Sequence, residues 1–399
     1  MRVLHITTEF PPVIRGGLGT AVGGLADRSA RCGITVGVLL INAAPLVERW
    51  WEHDGQHVPT GSVAEGPERR TASEEVKIFQ IHLHDPVETV VQMVREWRPD
   101  VLHLHMNWEW AFVQRIVKQI RIPLVYTLHS VDRAEYEICR RLGYEPLHLF
   151  EYIEGQESII ALADRLIALT QSEGNLLTHY YPHMRDKVRV VGNGVNDCER
   201  ARRATRRIRN DKSALVLYVG RLTERKGVTE LFVAIPYILE RAPQTRFVIA
   251  GGPPSANIAE LERQWIPRDC IRYHSQIHFT GWLPHSALQE WYCAADIQVV
   301  PSWYEPFGMA ILEGMLHGLP IIASTTGGSL EILDDCRSGL LFPPANVEAF
   351  QQAILRLVKN PKLRRQLGRF AAREVRRKWL WSHVVEKVLS IYTEVAWKK

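Results

Sequence analysis

Short β-branched runs alternate, from one end of the chain to the other, with stretches whose apolar residues recur every three to four positions. In the first half, residues 3–6, 34–40, 76–81, 101–104, 124–128 and 166–169 read as strands, with helical patterns around 18–32, 87–97, 109–120 and 172–181. In the second half, residues 215–219, 247–250, 277–280, 297–300 and 320–323 repeat the rhythm. Several runs are apolar at consecutive positions, as expected of parallel strands covered on both faces. Strand and helix in alternation predict α/β architecture, with doubly wound parallel sheets and right-handed crossovers. The rhythm breaks over 196–213, a polar and strongly basic segment that reads as a solvated connector or as a contact for an anionic surface. This gives a first domain over 1–196, a linker over 197–213, a second domain over 214–378 and a terminal segment over 379–399. Cationic residues 362–378 carry Leu363, Leu367, Phe370 and Val375 at helical spacing, the pattern of an amphipathic surface helix. Trp379 and Trp381 then introduce a last helix ending at Trp397, which implies docking against protein.

Composition narrows the class. The 399 residues are 46% hydrophobic and 23% charged, too apolar for a disordered chain and sized for two domains. A net charge of +5 favours anionic ligands or lipid headgroups. No apolar run approaches the roughly 18 residues that span a bilayer, and the N-terminus lacks the apolar core of a secretory signal. The six cysteines are scattered with no C-x-x-C pair, so a reduced, cytoplasmic protein is expected.

The chemistry gathers in loops after strands, where ligands of open α/β sheets bind. Arg15-Gly16-Gly17-Leu18-Gly19 follows the first strand; it fits a tight turn or an anion cradle at a helix N-terminus. With Val22 where Gly or Ala is needed, it is not a dinucleotide fingerprint. Gly220-Arg221 to Lys226-Gly227 offers a guanidinium fork and an ammonium to phosphate oxygens. Glu305-Pro306-Phe307-Gly308-Met309 to Glu313 opens a helix whose first N–H groups can hold a phosphate. Glu313 lies among Met309, Ile311, Leu312, Met315 and Leu316, where an ionised carboxylate needs partners, such as ribose hydroxyls or a neighbouring backbone or Arg group. Thr325-Thr326-Gly327-Gly328 adds a fourth loop. Of the histidines, His82 with His84 and His103 with His105 alternate along strands, yet no carboxylate or thiol completes a metal set. His129, at a strand's carboxyl end, suits ligand contact.

Together these segments resemble the retaining, nucleotide-sugar-dependent glycosyltransferases of GT-B fold, the family of sucrose and mannosyl transferases, related to glycogen and starch synthases. The carriers are Gly16-Gly17, Arg221 with Lys226, Glu305-x7-Glu313 around Pro306-Phe307-Gly308, and Gly327-Gly328, in order and at strand ends. The resemblance implies two Rossmann-like domains facing a central cleft, acceptor on the first and nucleotide sugar on the second, with the 379–399 helix returning to the first. Arg221 and Lys226 would hold the diphosphate, with N–H groups from Gly308 and Met309. Glu313 would take the ribose and Glu305 the sugar hydroxyls. Gly17 would approach the diphosphate, Gly252 and Gly281 the base and diphosphate, and His129 the transferred sugar. The implied reaction moves a hexosyl unit to a hydroxyl of a glycan, lipid-linked or small-molecule acceptor, with retention. No Asp-x-Asp metal motif is present, so no metal or further cofactor is expected, and no nucleic-acid partner; peripheral membrane contact stays open. Glucan synthases carry Lys-x-Gly-Gly and His-Asp-Trp-His; here Arg15-Gly16-Gly17 and His105-Met106-Asn107-Trp108 stand instead, which counts against glucan polymerisation. The alternatives are a nucleotide-sugar epimerase of the same architecture and a non-catalytic partner in glycan assembly.

Overall fold

The computed structural model describes residues 1–12, 14, 16–42, 76–106, 110–199, 201, 203, 213–254 and 256–397. Arg15, Asn107, Trp108, the segment 52–73, whose Gly, Glu, Arg and Ser content reads in sequence as a mobile insertion, and most of the basic connector lie outside them. The chain divides into two units. One takes the described residues up to 196 together with those from 381 onward; the other takes 197–380.

The first unit is built on seven parallel strands: β1 (Arg2–Thr7), β2 (Thr35–Asn42), β3 (Val76–His82), β4 (Val101–Leu104), β5 (Leu124–Leu128), β6 (Arg165–Ala168) and β7 (Val188–Val190), in the order β3-β2-β1-β4-β5-β6-β7. Every residue of β4, β5 and β6 is buried, which explains why apolar residues stand at consecutive positions there, with only His103, Thr127 and Arg165 between them. Within β1 the period-two alternation still sorts side chains. Leu4 and Ile6 join the core formed with the helices Val87–Trp97 and Trp110–Ile120, while Val3 joins the core under the terminal helix Trp381–Ala396.

That terminal helix buries Trp381, Val384, Val385, Val388, Ile391, Tyr392 and Val395. At roughly 1.5–3 kcal/mol per buried side chain, their gross contribution rivals a domain's whole net stability of about 5–15 kcal/mol. Trp381 is wedged so closely that a Cβ on Gly24 would collide with its indole, and one on Gly194 with its backbone. Glu394 ties the helix to the sheet through Arg165 at 2.5 Å and Arg189 at 2.8 Å.

The second unit carries six parallel strands: β8 (Leu215–Val219), β9 (Arg246–Ala250), β10 (Ile277–Gly281), β11 (Ile297–Val300), β12 (Ile321–Ser324) and β13 (Gly339–Phe342), in the order β10-β9-β8-β11-β12-β13. In both sheets the winding direction reverses beside the first strand, between β1 and β4 and between β8 and β11. These are the switch points at which loops diverge and leave a crevice. The predicted strands are all present, and β7 and β13 are additional. No helix among the described residues is long and apolar enough to cross a membrane.

Candidate active site

The switch point of the second sheet joins two predicted groups. After β8 the chain runs through Gly220 and Arg221 into a single 3-10 turn, Glu224–Lys226, then through Gly227 into the helix Val228–Arg241. After β11, Pro301–Gly308 leads to the helix Met309–Leu316. The Lys226 ammonium donates to Oε2 of Glu305 at 2.7 Å, and the Ser302 hydroxyl donates to the same oxygen at 3.0 Å. Arg225, itself buried, donates to the Tyr304 carbonyl at 3.0 Å and pins the loop's backbone. Burial alone would push the Glu305 carboxyl up. Lys226, Arg225 and Ser302 outweigh it and hold the carboxyl below its ordinary range, so it is ionised at neutral pH. Arg221 is half-buried and adds positive charge beside Lys226. Oε1 of Glu305 has no hydrogen-bond partner among the described residues, and an ammonium with three N–H groups has spent one on the pair.

The loop after β12 supports this arrangement. Gly328 donates its N–H to the Glu305 carbonyl at 2.8 Å, an approach so close that a Cβ on Gly328 would strike the Phe307 carbonyl oxygen. Gly327 opens the helix Gly327–Ile332, and Ser329 closes a capping box with Thr326 while donating to the Ser324 carbonyl. Ser324 in turn donates to the Ser302 carbonyl. Gly308 caps Met309–Leu316 at φ 108°, a left-handed conformation that a side chain would strain. Gly252 and Gly281 follow β9 and end β10, and the Gly251 N–H donates to the Gly281 carbonyl at 3.0 Å.

Glu313 is buried, and its partners were not legible in sequence. The Tyr292 hydroxyl donates to Oε2 at 2.8 Å, and His285 Nδ1 stands 3.8 Å from Oε1. Burial raises its pKa, opposed by His285 and by the Tyr292 hydrogen bond. One carboxylate oxygen is thus left for a hydroxyl donor.

In the first unit, Gly16 caps the helix Gly17–Arg31 without a side-chain cap, and its N–H donates to Glu9 Oε2 at 3.1 Å. His129 follows β5 and lines a cavity with His103, His105, Thr127, Asn193 and Trp381. Sequence reasoning found His103 and His105 but missed His5, which the β1–β4 register sets beside His103. His5 Nδ1 lies 3.0 Å from His105 Nε2, and His105 Nδ1 lies 3.4 Å from His129 Nε2. His103 is held separately by the Tyr392 hydroxyl at 2.6 Å and the Thr127 hydroxyl at 2.7 Å. Burial depresses all four imidazoles, His5 to about 3 and His129 to about 4, so they are neutral near pH 7. Ligating atoms of His5, His103 and His105 lie within 4.8 Å of one another, yet each ring nitrogen of His103 and His105 already faces a hydrogen-bond partner.

Chemically, the second unit offers an ionised carboxylate, an ammonium, a guanidinium and a glycine-capped helix N-terminus around one crevice. This set suits a pyrophosphate joined to a hydroxyl-rich group.

A family profile described as "Glycosyl transferase 4-like domain" matches residues 16–194, and one described as "Glycosyl transferases group 1" matches residues 213–360. The chain is 30% identical to a D-inositol 3-phosphate glycosyltransferase of Acidothermus cellulolyticus over 95% of its length and 86% of the relative's. It is 28% identical to a glycogen synthase of Mycobacterium tuberculosis over 98% of its length and 94% of that enzyme's. The structure of Anabaena HepE in complex with UDP-glucose superimposes with a TM-score of 0.71 at 17% identity, covering 99% of this chain and all of that one.

Proposed function

Because the chain belongs to the GT-B glycosyltransferases, we propose that it moves a hexosyl unit from a nucleoside-diphosphate sugar to an acceptor hydroxyl with retention at the anomeric carbon. The observation that carries this reading is the Lys226–Glu305 pair at the β8–β11 switch point: an ionised carboxylate with one oxygen open among the described residues, beside an ammonium that has two further N–H groups. Arg221 and Lys226 take the diphosphate and neutralise the charge that develops as it departs. Gly308 and Met309 add backbone N–H groups, and Gly327 and Gly328 keep their loop close behind Glu305. Glu313 accepts from the ribose, and Gly252 and Gly281 border the nucleotide. Gly16 and Gly17 serve the diphosphate and His129 the transferred sugar. The bond from the anomeric carbon to phosphate oxygen breaks with its electron pair leaving on the nucleoside diphosphate. The acceptor oxygen bonds to the same face, and its proton passes to the departing phosphate.

This assigns the second unit to the donor and the first to the acceptor, which is a glycan, a lipid-linked hydroxyl or a small molecule. HepE was crystallised with UDP-glucose, which makes UDP-sugars the first donors to try. Exposed Leu147 and Phe150, a few residues after Arg140 and Arg141, are the apolar and cationic surface that peripheral membrane contact would use.

The test is turnover of UDP-, ADP- and GDP-sugars by Glu305→Gln and Arg221→Ala. Each is expected to lower kcat/KM by about 10²–10³ with an unchanged far-ultraviolet dichroism spectrum. Full activity in either variant refutes the assignment. Conversion of one nucleotide sugar into its epimer without any acceptor product would favour the epimerase reading over transfer.

A further inference from the structure

Two buried histidines that the reaction as described does not use, His5 and His105, form a chain with the half-buried His129. His5 sits on β1, and His105 follows β4. His129, which follows β5, is the only one of the three that lines the cavity while its Nδ1 lacks a hydrogen-bond partner among the described residues. At the other end, Nε2 of His5 is buried with no hydrogen-bond partner among the described residues. A neutral imidazole has one donor and one acceptor nitrogen, so the two contacts, at 3.0 Å and 3.4 Å, can be satisfied together in only two ways, with all hydrogens pointing along the chain in one direction or the other.

The buried end decides between them. If the hydrogens ran from His129 towards His5, an N–H at His5 Nε2 would be buried with nothing to accept it, and orphaned buried N–H groups are rarer than bare acceptors. The opposite direction leaves only a lone pair at that atom. His5 Nδ1–H then donates to His105 Nε2, His105 Nδ1–H donates to His129 Nε2, and the Nδ1–H of His129 is the free end. His103 supports this without joining it: its two nitrogens face Tyr392 and Thr127, and its ring lies 4.0 Å from that of His105, which fixes the plane of the middle imidazole.

We propose that His5 and His105 are positioning residues that lock His129 as its Nδ1–H tautomer, so that the ring presents a hydrogen-bond donor to an oxygen of the transferred sugar. The inference rests on the reading above that His129 serves that sugar. It adds which proton His129 carries and what holds it there.

The experiment is a long-range proton–nitrogen correlation spectrum of the whole protein labelled with nitrogen-15 histidine, paired with turnover of UDP-glucose or whichever of the three nucleotide sugars proves active. In the wild type, His5, His105 and His129 are expected as Nδ1–H tautomers. His105→Phe removes the lock, so His129 should become a mixture of tautomers, with kcat reduced about 10- to 100-fold and donor KM little changed. His105→Asn, whose amide nitrogen stands near the place of Nδ1–H, should restore most of both signals. His129 observed as Nε2–H in the wild type overturns the inference while leaving its role at the sugar intact. Unchanged turnover in His129→Ala overturns the underlying assignment instead. Zn²⁺ at micromolar concentration shifting the resonances of His5, His103 and His105 together would also overturn the lock, making the cluster a metal site.

Discussion

At the scale of single residues, the two carboxylates of the second unit are tuned in opposite directions. Glu305 is held down by its cationic neighbours, whereas Glu313, among apolar side chains, is raised by burial and restrained by His285 and the Tyr292 hydroxyl. A carboxyl whose folded pKa is raised becomes ionised, and a full acceptor for a hydroxyl donor, only at higher pH. Tyr292→Phe deletes the hydrogen bond to the ionised form and raises Glu313 further. The acid limb of UDP binding, measured calorimetrically across a pH series, should therefore move to higher pH in Tyr292→Phe and vanish in Glu313→Gln. The same sign applies to stability: Glu313 costs nothing while protonated in both states and destabilises the fold as pH rises from about 4.5 through its raised value. Glu305, Glu313, Arg221 and Lys226 were legible because their types and spacing are unusual for strand-end loops. Their partners were not. Tyr292 and Ser302 look like ordinary core and loop residues, and His5 gains meaning only when β1 is known to pair with β4, almost a hundred residues away.

Among the elements, the terminal helix shows what pattern reading can and cannot deliver. Its apolar spacing announces a buried face, and its flanking tryptophans an anchor, but its ion pairs depend on which strands lie beneath it. Glu394 is lowered to about 2, first by its hydrogen bond to Arg165, which together with Arg189 outweighs the opposing effect of burial. A depressed carboxylate contributes stability that is complete above its ordinary value of 4.5 and is lost as pH falls towards 2. Because Glu394 is a third exposed, Glu394→Gln is expected to cost about 1 kcal/mol rather than more. In urea melts the difference between wild type and Glu394→Gln should stay constant above about pH 4.5 and shrink steadily below it. The strands β7 and β13 escaped sequence reading for a simpler reason. Three partly exposed residues, VRV, and a four-residue run opened by glycine, GLLF, are too short to establish either period. The central strands announced themselves because a parallel sheet buried on both faces leaves few polar positions to interrupt the run, such as His103 and Gln298.

For the molecule as a whole, the donor should act as a structural ligand. A nucleotide that binds only the folded state stabilises it by RT ln(1 + [L]/Kd), about 2.7 kcal/mol at a hundredfold excess over Kd. UDP, ADP or GDP should accordingly raise the thermal midpoint of the wild type, while Arg221→Ala should lose most of that rise. Equal shifts in both proteins would place the nucleotide away from Arg221. The return of the last helix to the first unit has a separate consequence, for biogenesis. Domains usually mature in the order in which they leave the ribosome. Here the sheet made first lacks the helix Trp381–Ala396 over part of one face until the whole of residues 197–380 has been made. The first unit, which reaches residue 196, must therefore wait for residues 381–396, with Val3, Val101, Val125 and Ile167 uncovered until then. A chain cut back to residues 1–380 should show a protease-sensitive first unit beside a resistant second one.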